Sequence, residues 1–199
     1  MITLILTLPL LSAFCCGFLG FLVGRAGSFV LSNLFICFSF LLSLYFSYFV
    51  ICCGDIYYVS LGSWFESGSL SVMWSFMFDQ LACVMIIFVL LVSLLVHFYS
   101  CGYMFFDPHS VRFMSYLSLF TFFMLILVSA DNFVVFFVGW EGVGLCSFLL
   151  ISFWTTRQQA VKAAMKALII NRIGDFWLLF SIALIFLTFG SVDFLTVFF

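Results

Sequence analysis

The sequence predicts an all-α fold, a polytopic bundle of about six transmembrane helices. Hydrophobic residues make up 67% of the 199 residues and charged residues only 7%, whereas a soluble domain carries roughly 25% charged residues. The apolar residues fall into runs of about 20, the length that crosses a bilayer core of roughly 30 Å. The formal net charge of −2 excludes a basic nucleic-acid binder, so we expect no nucleic-acid partner.

Six apolar runs are predicted to span the membrane in one domain that covers residues 1–199. They lie near residues 2–23, 29–50, 81–99, 113–129, 133–153 and 163–189. The first run starts at Met1 without a basic leader, so we interpret it as a retained span and not as a cleaved signal. The runs lack the regular alternation of an outer-membrane barrel, which favours helices.

The longest polar connection covers residues 54–80 and is rich in glycine, serine and aromatic residues. Such a composition is typical of turns and short strands. The sequence therefore predicts either a turn-rich external loop or a short hairpin between the second and third spans.

The charged residues of the connections are distributed unevenly. Basic residues occur in connections one, three and five and at the start of the sixth span, as Arg25, Arg112, Arg157, Lys162 and Lys166. The alternate connections and the C-terminal tail carry only acids, namely Asp55, Glu66, Asp79, Asp131 and Asp193. Lysine and arginine accumulate on the side from which helices are not translocated. Both termini are therefore predicted to lie outside, which in a mitochondrion is the intermembrane space.

Cysteine and histidine give little sign of a metal or redox site. The eight cysteines form no C-x-x-C motif and lie mostly in apolar runs, where cysteine acts as a small hydrophobic residue. A metal or redox role for them is the less favoured alternative. The two histidines, His97 and His109, are expected near one membrane surface in a snorkelling or loop-capping role. We therefore expect no metal, haem or iron–sulfur cluster in this chain.

Ionisable residues inside two predicted spans are the candidate functional residues, because such residues are costly in a membrane. Glu141 lies 12 residues before Phe153, and Asp175 lies 12 residues after Ala163. At 1.5 Å per residue, both carboxylates lie about 18 Å from the inner surface, near the midplane. Arg172 precedes Asp175 by three residues and can meet it on the same helix face.

These three residues suggest proton coupling. Burial raises the pKa of a carboxylate and a nearby cation lowers it, so a movable positive charge can switch a buried acid between proton uptake and release. For Glu141 this interpretation is favoured over a structural ion pair. For Arg172 and Asp175, an intrahelical pair that neutralises both charges is an equally weighted alternative.

Two motifs and one longer segment contain these residues. Glu141 stands in Gly139-Trp140-Glu141-Gly142-Val143-Gly144, whose glycines allow another helix to approach closely. Asp175 closes the motif Asn171-Arg172-Ile173-Gly174-Asp175, and the apolar segment 116–128 precedes both motifs. Together they closely resemble the chain 5 family of NADH:ubiquinone oxidoreductase, respiratory complex I, and the similarity extends over nearly the whole chain.

The resemblance implies an antiporter-like, proton-translocating subunit at the distal end of the membrane arm, in the mitochondrial inner membrane. Quinone reduction elsewhere in the respiratory chain complex would drive it. In that family Glu141 would be the key membrane carboxylate, and Arg172 and Asp175 would tune or relay charge towards it. The implied partners are other complex I membrane subunits and membrane lipids, with cardiolipin as a candidate. NADH, FMN, iron–sulfur clusters and ubiquinone would all be bound by partner subunits, so no cofactor is expected in this chain.

Members of the family are usually considerably longer, which leads us to expect a split subunit whose remainder is supplied by a second polypeptide. This chain would then have the N-terminal part of the antiporter-like fold. Two alternatives remain. One is a subunit of a multisubunit sodium/proton antiporter, and the other is a structural fragment that no longer pumps.

Overall fold

The computed structural model describes residues 2–68 and 70–198 and is mostly helical. Its elements are, in chain order, α1 (Ile2–Phe18), α2 (Gly20–Cys53), β1 (Tyr57–Ser67), β2 (Leu70–Phe78), α3 (Gln80–Tyr103), α4 (Ser110–Ser129), α5 (Phe133–Ile151), α6 (Gln158–Phe189) and α7 (Phe194–Phe198). Within this part of the chain, the five helices α2 to α6 are long and apolar enough to cross a membrane, and α1 is a shorter apolar helix. The predicted polytopic helical fold is confirmed.

The chain turns between α1 and α2, inside the predicted span 2–23. Leu19 leaves the helical region, with φ −92° and ψ 1°, and Gly24 adopts φ 70° and ψ −176°. Such a positive φ is accessible to glycine at little cost and is strained for other residues. The turn residues are themselves apolar, so hydropathy does not reveal it.

The helix α4 lies at the centre of the bundle, and α6 lies at its edge. Helices α1, α2, α3 and α5 all pack against α4, whereas α6 packs mainly against α5. The buried residues of α6 are Ala164 and Asp175 alone. A helix that carries a buried carboxylate is therefore exposed along most of its length.

Small residues form the buried face of α2. They are Gly20, Ser28, Ser32, Ser39, Ser43 and Ser47, joined by Phe29, Ile36 and Val50. Ser39 Oγ donates to the Ile5 carbonyl of α1 at 2.9 Å, and Ser43 donates to the Phe40 carbonyl one turn earlier in α2. Large side chains such as Phe38 point outward. Small side chains whose hydroxyl groups already have hydrogen-bond partners let helix backbones approach closely in a membrane.

The polar connection 54–80 forms an antiparallel hairpin, the second of its two predicted alternatives. The strands β1 and β2 pair from Tyr57 with Phe78 to Ser67 with Leu70. The hairpin is fastened to the turn between α4 and α5, because the Asn132 side chain donates to the Met73 carbonyl at 2.8 Å. The hairpin and this turn therefore occupy the same end of the bundle.

The segment before α7 reaches the same end. Asn132 and Asp193 form an antiparallel bridge, and the Phe194 amide donates to the Asp131 carbonyl at 3.1 Å. Two acids that are far apart in sequence, Asp131 and Asp193, thus become neighbours. Arg112 lies near the opposite end of α4, and Arg157 lies just beyond the opposite end of α5. Arg112 and Arg157 therefore lie at the end of the bundle opposite Asp131 and Asp193, and Asp107 in the α3–α4 connection is an acid at the basic end.

We expect Asp193→Asn to strengthen the packing of the C-terminal tail at neutral pH. Burial, reinforced by the charge of Asp131, raises the pKa of Asp193 above its ordinary value of 3.8. An acid whose pKa is raised on packing favours the packed state most below its ordinary pKa and loses that contribution as pH rises. The measurement is amide hydrogen exchange at Phe194 between acidic and neutral pH. Exchange that depends on pH equally in D193N and the wild type would contradict this prediction, and the exposed Asp55 provides the control variant D55N.

Candidate functional site

An ion pair joins α5 and α6 at the predicted site. Arg172 Nη1 donates to Glu141 Oε1 at 2.7 Å, and the side chains are 58% and 25% exposed respectively. The structure thus pairs Arg172 with Glu141 and not with Asp175, contrary to the intrahelical alternative. The reason is that α5 brings a second acceptor to the arginine, which the spacing within α6 does not show.

The partner of Asp175 is a tryptophan. Trp140 Nε1 donates to Asp175 Oδ1 at 2.9 Å, and only 8% of Asp175 is exposed. Trp140 and Glu141 are consecutive in α5, so they contact residues one turn apart in α6. The two candidate carboxylates consequently lie on neighbouring helices at similar height, as their positions in the sequence predicted. Trp140 was not among the predicted site residues, although it stands beside Glu141 in the glycine-rich motif.

A cavity of about 240 Å³ adjoins the ion pair. Its lining includes Glu141, Asn171, Arg172 and Asp175 among apolar side chains of α5 and α6. The cavity opens at the edge of the bundle and its lining is mostly apolar, and its volume has room for several water molecules at about 30 Å³ each. The site therefore combines two carboxylates, one guanidinium and room for water at the α5–α6 edge of a largely apolar bundle.

The arrangement pairs one cation, Arg172, with one of two carboxylates, Glu141. A carboxylate that contacts a guanidinium is stabilised in its ionised form, and it gains proton affinity when the cation moves away. Arg172 is more than half exposed on the bundle edge, so its side chain has space to leave Glu141. Asp175 is held by Trp140 and is buried, so it is the more fixed of the two acids.

Two glycines of the motif around Glu141 allow α5 to pack closely against α4. A Cβ atom on Gly139 would lie 2.7 Å from the backbone of Leu127, and one on Gly142 would lie 2.2 Å from the ring of Phe123. Gly144 faces α6, and its Cβ would meet only the Asn171 side chain at 3.8 Å. The expected close helix approach is therefore found at Gly139 and Gly142, and it fixes the height of Glu141 relative to α4.

The position of His97 differs from the surface role expected for it. The ring is fully buried, and its Nδ1 lies 2.8 Å from the Ser93 carbonyl. The Nε2 atom lies 3.3 Å from Ser118 Oγ, which in turn lies 2.9 Å from Ser12 Oγ. Hydropathy placed this histidine near the end of a span, but the neighbouring helices α1 and α4 provide polar partners there. His97 therefore links three helices.

We expect Trp140→Phe to destabilise the bundle more than Asp175→Asn does. Phenylalanine removes the N–H donor and leaves a buried carboxylate without it, which costs about 2 kcal/mol or more. Asparagine keeps a side-chain oxygen that accepts the same hydrogen bond. The measurement is the thermal midpoint of the assembled protein, and equal losses in the two variants would contradict the assigned hydrogen bond.

Comparison with known proteins gives matches in two parts of the chain. Residues 130–198 match a family described as "NADH:quinone oxidoreductase/Mrp antiporter, TM". Residues 64–114 match "NADH-Ubiquinone oxidoreductase (complex I), chain 5 N-terminus". The first match contains both Glu141 and Asp175, so the candidate site lies in the matched region.

Similar curated proteins are NADH-ubiquinone oxidoreductase chain 5 of Rhizopus stolonifer and of Arabidopsis thaliana. The first is 52% identical over 194 residues, which are 98% of this chain and 30% of the relative. The second is 50% identical over 198 residues, which are 100% of this chain and 30% of the relative. The chain thus spans about a third of the length of these relatives.

Two solved structures share the fold. A chain of the membrane-bound sulfane sulfur reductase, an archaeal respiratory membrane complex, aligns with a TM-score of 0.82 at 19% identity over 96% of this chain and 38% of that chain. A chain of the Mrp complex from Dietzia aligns with a TM-score of 0.73 at 24% identity over 96% of this chain and 20% of that chain. At such identities the likeness shows the fold alone.

The family match over residues 130–198 identifies an antiporter-like membrane subunit, and the shared fold agrees with it. Within that class, the chain belongs to the family of NADH-ubiquinone oxidoreductase chain 5, as the sequence motifs indicated.

Proposed function

We propose that this chain is a proton-translocating part of chain 5 in an NADH:ubiquinone oxidoreductase, and that it acts in the enzyme only as a subunit. The observation that carries the proposal is the Glu141–Arg172 ion pair beside Asp175, which adjoins a cavity of about 240 Å³ between α5 and α6. Charges in such a place are expensive, and by default they mark a path for ions or protons.

Glu141 is the proton-binding group in this mechanism. Arg172 contacts its carboxylate at 2.7 Å, and a guanidinium at that distance favours the carboxylate form over the protonated form. When Arg172 turns away, Glu141 takes up a proton that is relayed through water in the adjoining cavity, and the return of Arg172 releases the proton to that water. Trp140 keeps Asp175 in place through its hydrogen bond, so the two helices hold their relative height while the arginine moves.

The driving reaction belongs to partner subunits in this proposal. NADH, FMN, iron–sulfur clusters and ubiquinone are bound there, and quinone reduction supplies the free energy. The chain lies in the mitochondrial inner membrane with both termini on the side of the intermembrane space. Supporting this orientation, the basic residues gather at the end of the bundle opposite the hairpin and tail.

Helix α6 is the surface at which the remainder of the antiporter-like fold docks. Its side chains are mostly exposed, among them Ile173, Phe176 and Trp177, although it carries Arg172 and the buried Asp175. Other membrane subunits and lipids such as cardiolipin complete the surroundings in our proposal. The relatives that match this chain are about three times as long, so they contain further segments that can cover α6.

The experiment that tests the proposal is purification of the native assembly in mild detergent, followed by mass spectrometry of every polypeptide. We expect an NADH-oxidising module, quinone reductase subunits and peptides homologous to the remainder of chain 5. Absence of those peptides would contradict the docking of that remainder on α6. The absence of any NADH-oxidising module would contradict the respiratory assignment.

A second candidate function is a subunit of a multisubunit sodium/proton antiporter. The fold shared with a chain of an Mrp complex favours it, as does the family description that names that antiporter. Both functions use a charged pair within the membrane, so the site does not separate them. Co-purification with antiporter subunits, together with sodium-dependent proton exchange in vesicles, would favour this second candidate.

A further inference from the structure

A basic cleft lies where the turn between α1 and α2 meets the beginning of α4. Its volume is about 480 Å³, which is within the usual range of small-molecule sites. Its polar lining includes His109, Arg112 and Tyr116, and the turn contributes Phe18 and Phe21. The cleft is at the end of the bundle that carries the basic residues, and its lining contains no acidic side chain.

Arg112 is held in place without a carboxylate partner. Among residues 2–68 and 70–198, the ion pair of the structure is that of Arg172 with Glu141. The guanidinium of Arg112 instead lies over the ring of Phe153, 5.8 Å from its centroid. A cation–π contact of this kind orients the group and leaves its N–H donors available for an anion such as phosphate.

The rim of the cleft is strongly apolar and exposed. Phe18 is 79% exposed and Phe21 is 96% exposed. Since the neighbouring helices span the membrane, these rings lie at a bilayer boundary, where aromatic side chains contact lipid. The cation can bind the headgroup of an anionic phospholipid, as basic pockets between transmembrane helices do. The exposed rings at the same depth can contact its acyl chains.

We propose that this cleft binds an anionic phospholipid, with Arg112 as the ligand of its phosphate and with the acyl chains lying along Phe18 and Phe21. The lining of the cleft does not include Glu141, Arg172 or Asp175, so lipid binding there does not require proton translocation. It therefore stands independently of the function proposed above.

The test is photo-crosslinking in the intact membrane assembly. The purified assembly is placed in nanodiscs of zwitterionic lipid that contain a photoreactive anionic phospholipid, and labelled peptides are quantified by mass spectrometry. We expect labelling of the turn between α1 and α2 and of the beginning of α4. Arg112→Gln should lower this labelling roughly fivefold, because one basic side chain near an anionic surface contributes about that factor in affinity.

Arg157→Gln is the matched control. Arg157 lies at the same end and makes a similar contact with Trp154, 5.4 Å from the ring centroid, but it does not line the cleft. R157Q should leave labelling of the cleft unchanged. Equal labelling of R112Q and the wild type would overturn the proposal, as would equal labelling by a zwitterionic probe or crosslinking of a polypeptide in the cleft.

A competition experiment in the wild type covers the case in which R112Q does not assemble. Unlabelled anionic phospholipid should suppress the labelling, while the same amount of unlabelled zwitterionic lipid should not. Suppression by both lipids to the same extent would show that the cleft does not select a negative headgroup, and it would overturn the proposal as well.

Discussion

Glu141→Gln is expected to abolish proton translocation while the assembly still forms. Glutamine has nearly the same size and can accept the hydrogen bond from Arg172, but it cannot bind and release a proton near neutral pH. Because glutamine keeps the hydrogen bond to Arg172, we expect α5 and α6 to remain paired and the complex to assemble. The measurement is proton uptake into proteoliposomes per NADH oxidised, together with the yield of assembled complex.

The control for this experiment is Glu66→Gln, which changes an exposed glutamate of the hairpin outside the spans. E66Q should leave the ratio of protons to NADH unchanged. An assembled E141Q complex with an unchanged ratio would favour the structural alternative, in which Glu141 and Arg172 only hold α5 and α6 together. Loss of assembly in E141Q, with normal assembly of E66Q, would likewise identify a structural ion pair.

The largest structural effect is expected from Gly139→Ala. The added Cβ would lie 2.7 Å from both the amide nitrogen and the Cα atom of Leu127. Backbone atoms of a packed helix cannot move aside as a flexible side chain does, so α5 must separate from α4. Overpacking of this kind costs about 1–3 kcal/mol. We expect a clear fall in the thermal midpoint of the purified assembly and in its yield on native gels.

Gly144→Ala is the matched control for the helix contact. It makes the same change in the same helix and motif, but the new Cβ would meet only the Asn171 side chain at 3.8 Å. Alanine is also the better helix former, by about 1 kcal/mol. G144A should therefore be as stable as the wild type. If both variants lost stability equally, a need for local backbone freedom would explain the glycines, and close packing against α4 would not.

The helices could be predicted because a chain in a bilayer must satisfy its own backbone hydrogen bonds. Hydropathy indicates whether a segment lies in an apolar environment, however, and does not indicate its backbone conformation. It therefore missed the apolar turn at Leu19, and it started the sixth span after the polar residues from Gln158 with which α6 begins. The hairpin was one of two interpretations, because its residues favour turns and strands alike.

The candidate site was only partly accessible from sequence. The rarity of charge in a span identified Glu141 and Asp175, and their residue counts placed them at similar height. Their partners depend on how α5 meets α6, so the sequence did not show that Arg172 contacts Glu141 or that Trp140 contacts Asp175. The burial of His97 was missed for the same reason, because Ser12 and Ser118 come from distant segments.

The serine face of α2 has a consequence for how the protein responds to its solvent. In water, a folded chain buries its apolar side chains, and a solvent in which apolar groups dissolve better unfolds the chain. In α2 the large apolar side chains already face the surrounding membrane, while the small serine side chains are buried. The contact between α1 and α2 therefore depends on close packing of small side chains and on the hydrogen bond from Ser39 to the Ile5 carbonyl. Replacing one apolar medium by another should leave the α1–α2 contact intact. A single bulky side chain on the serine face of α2 should disrupt it.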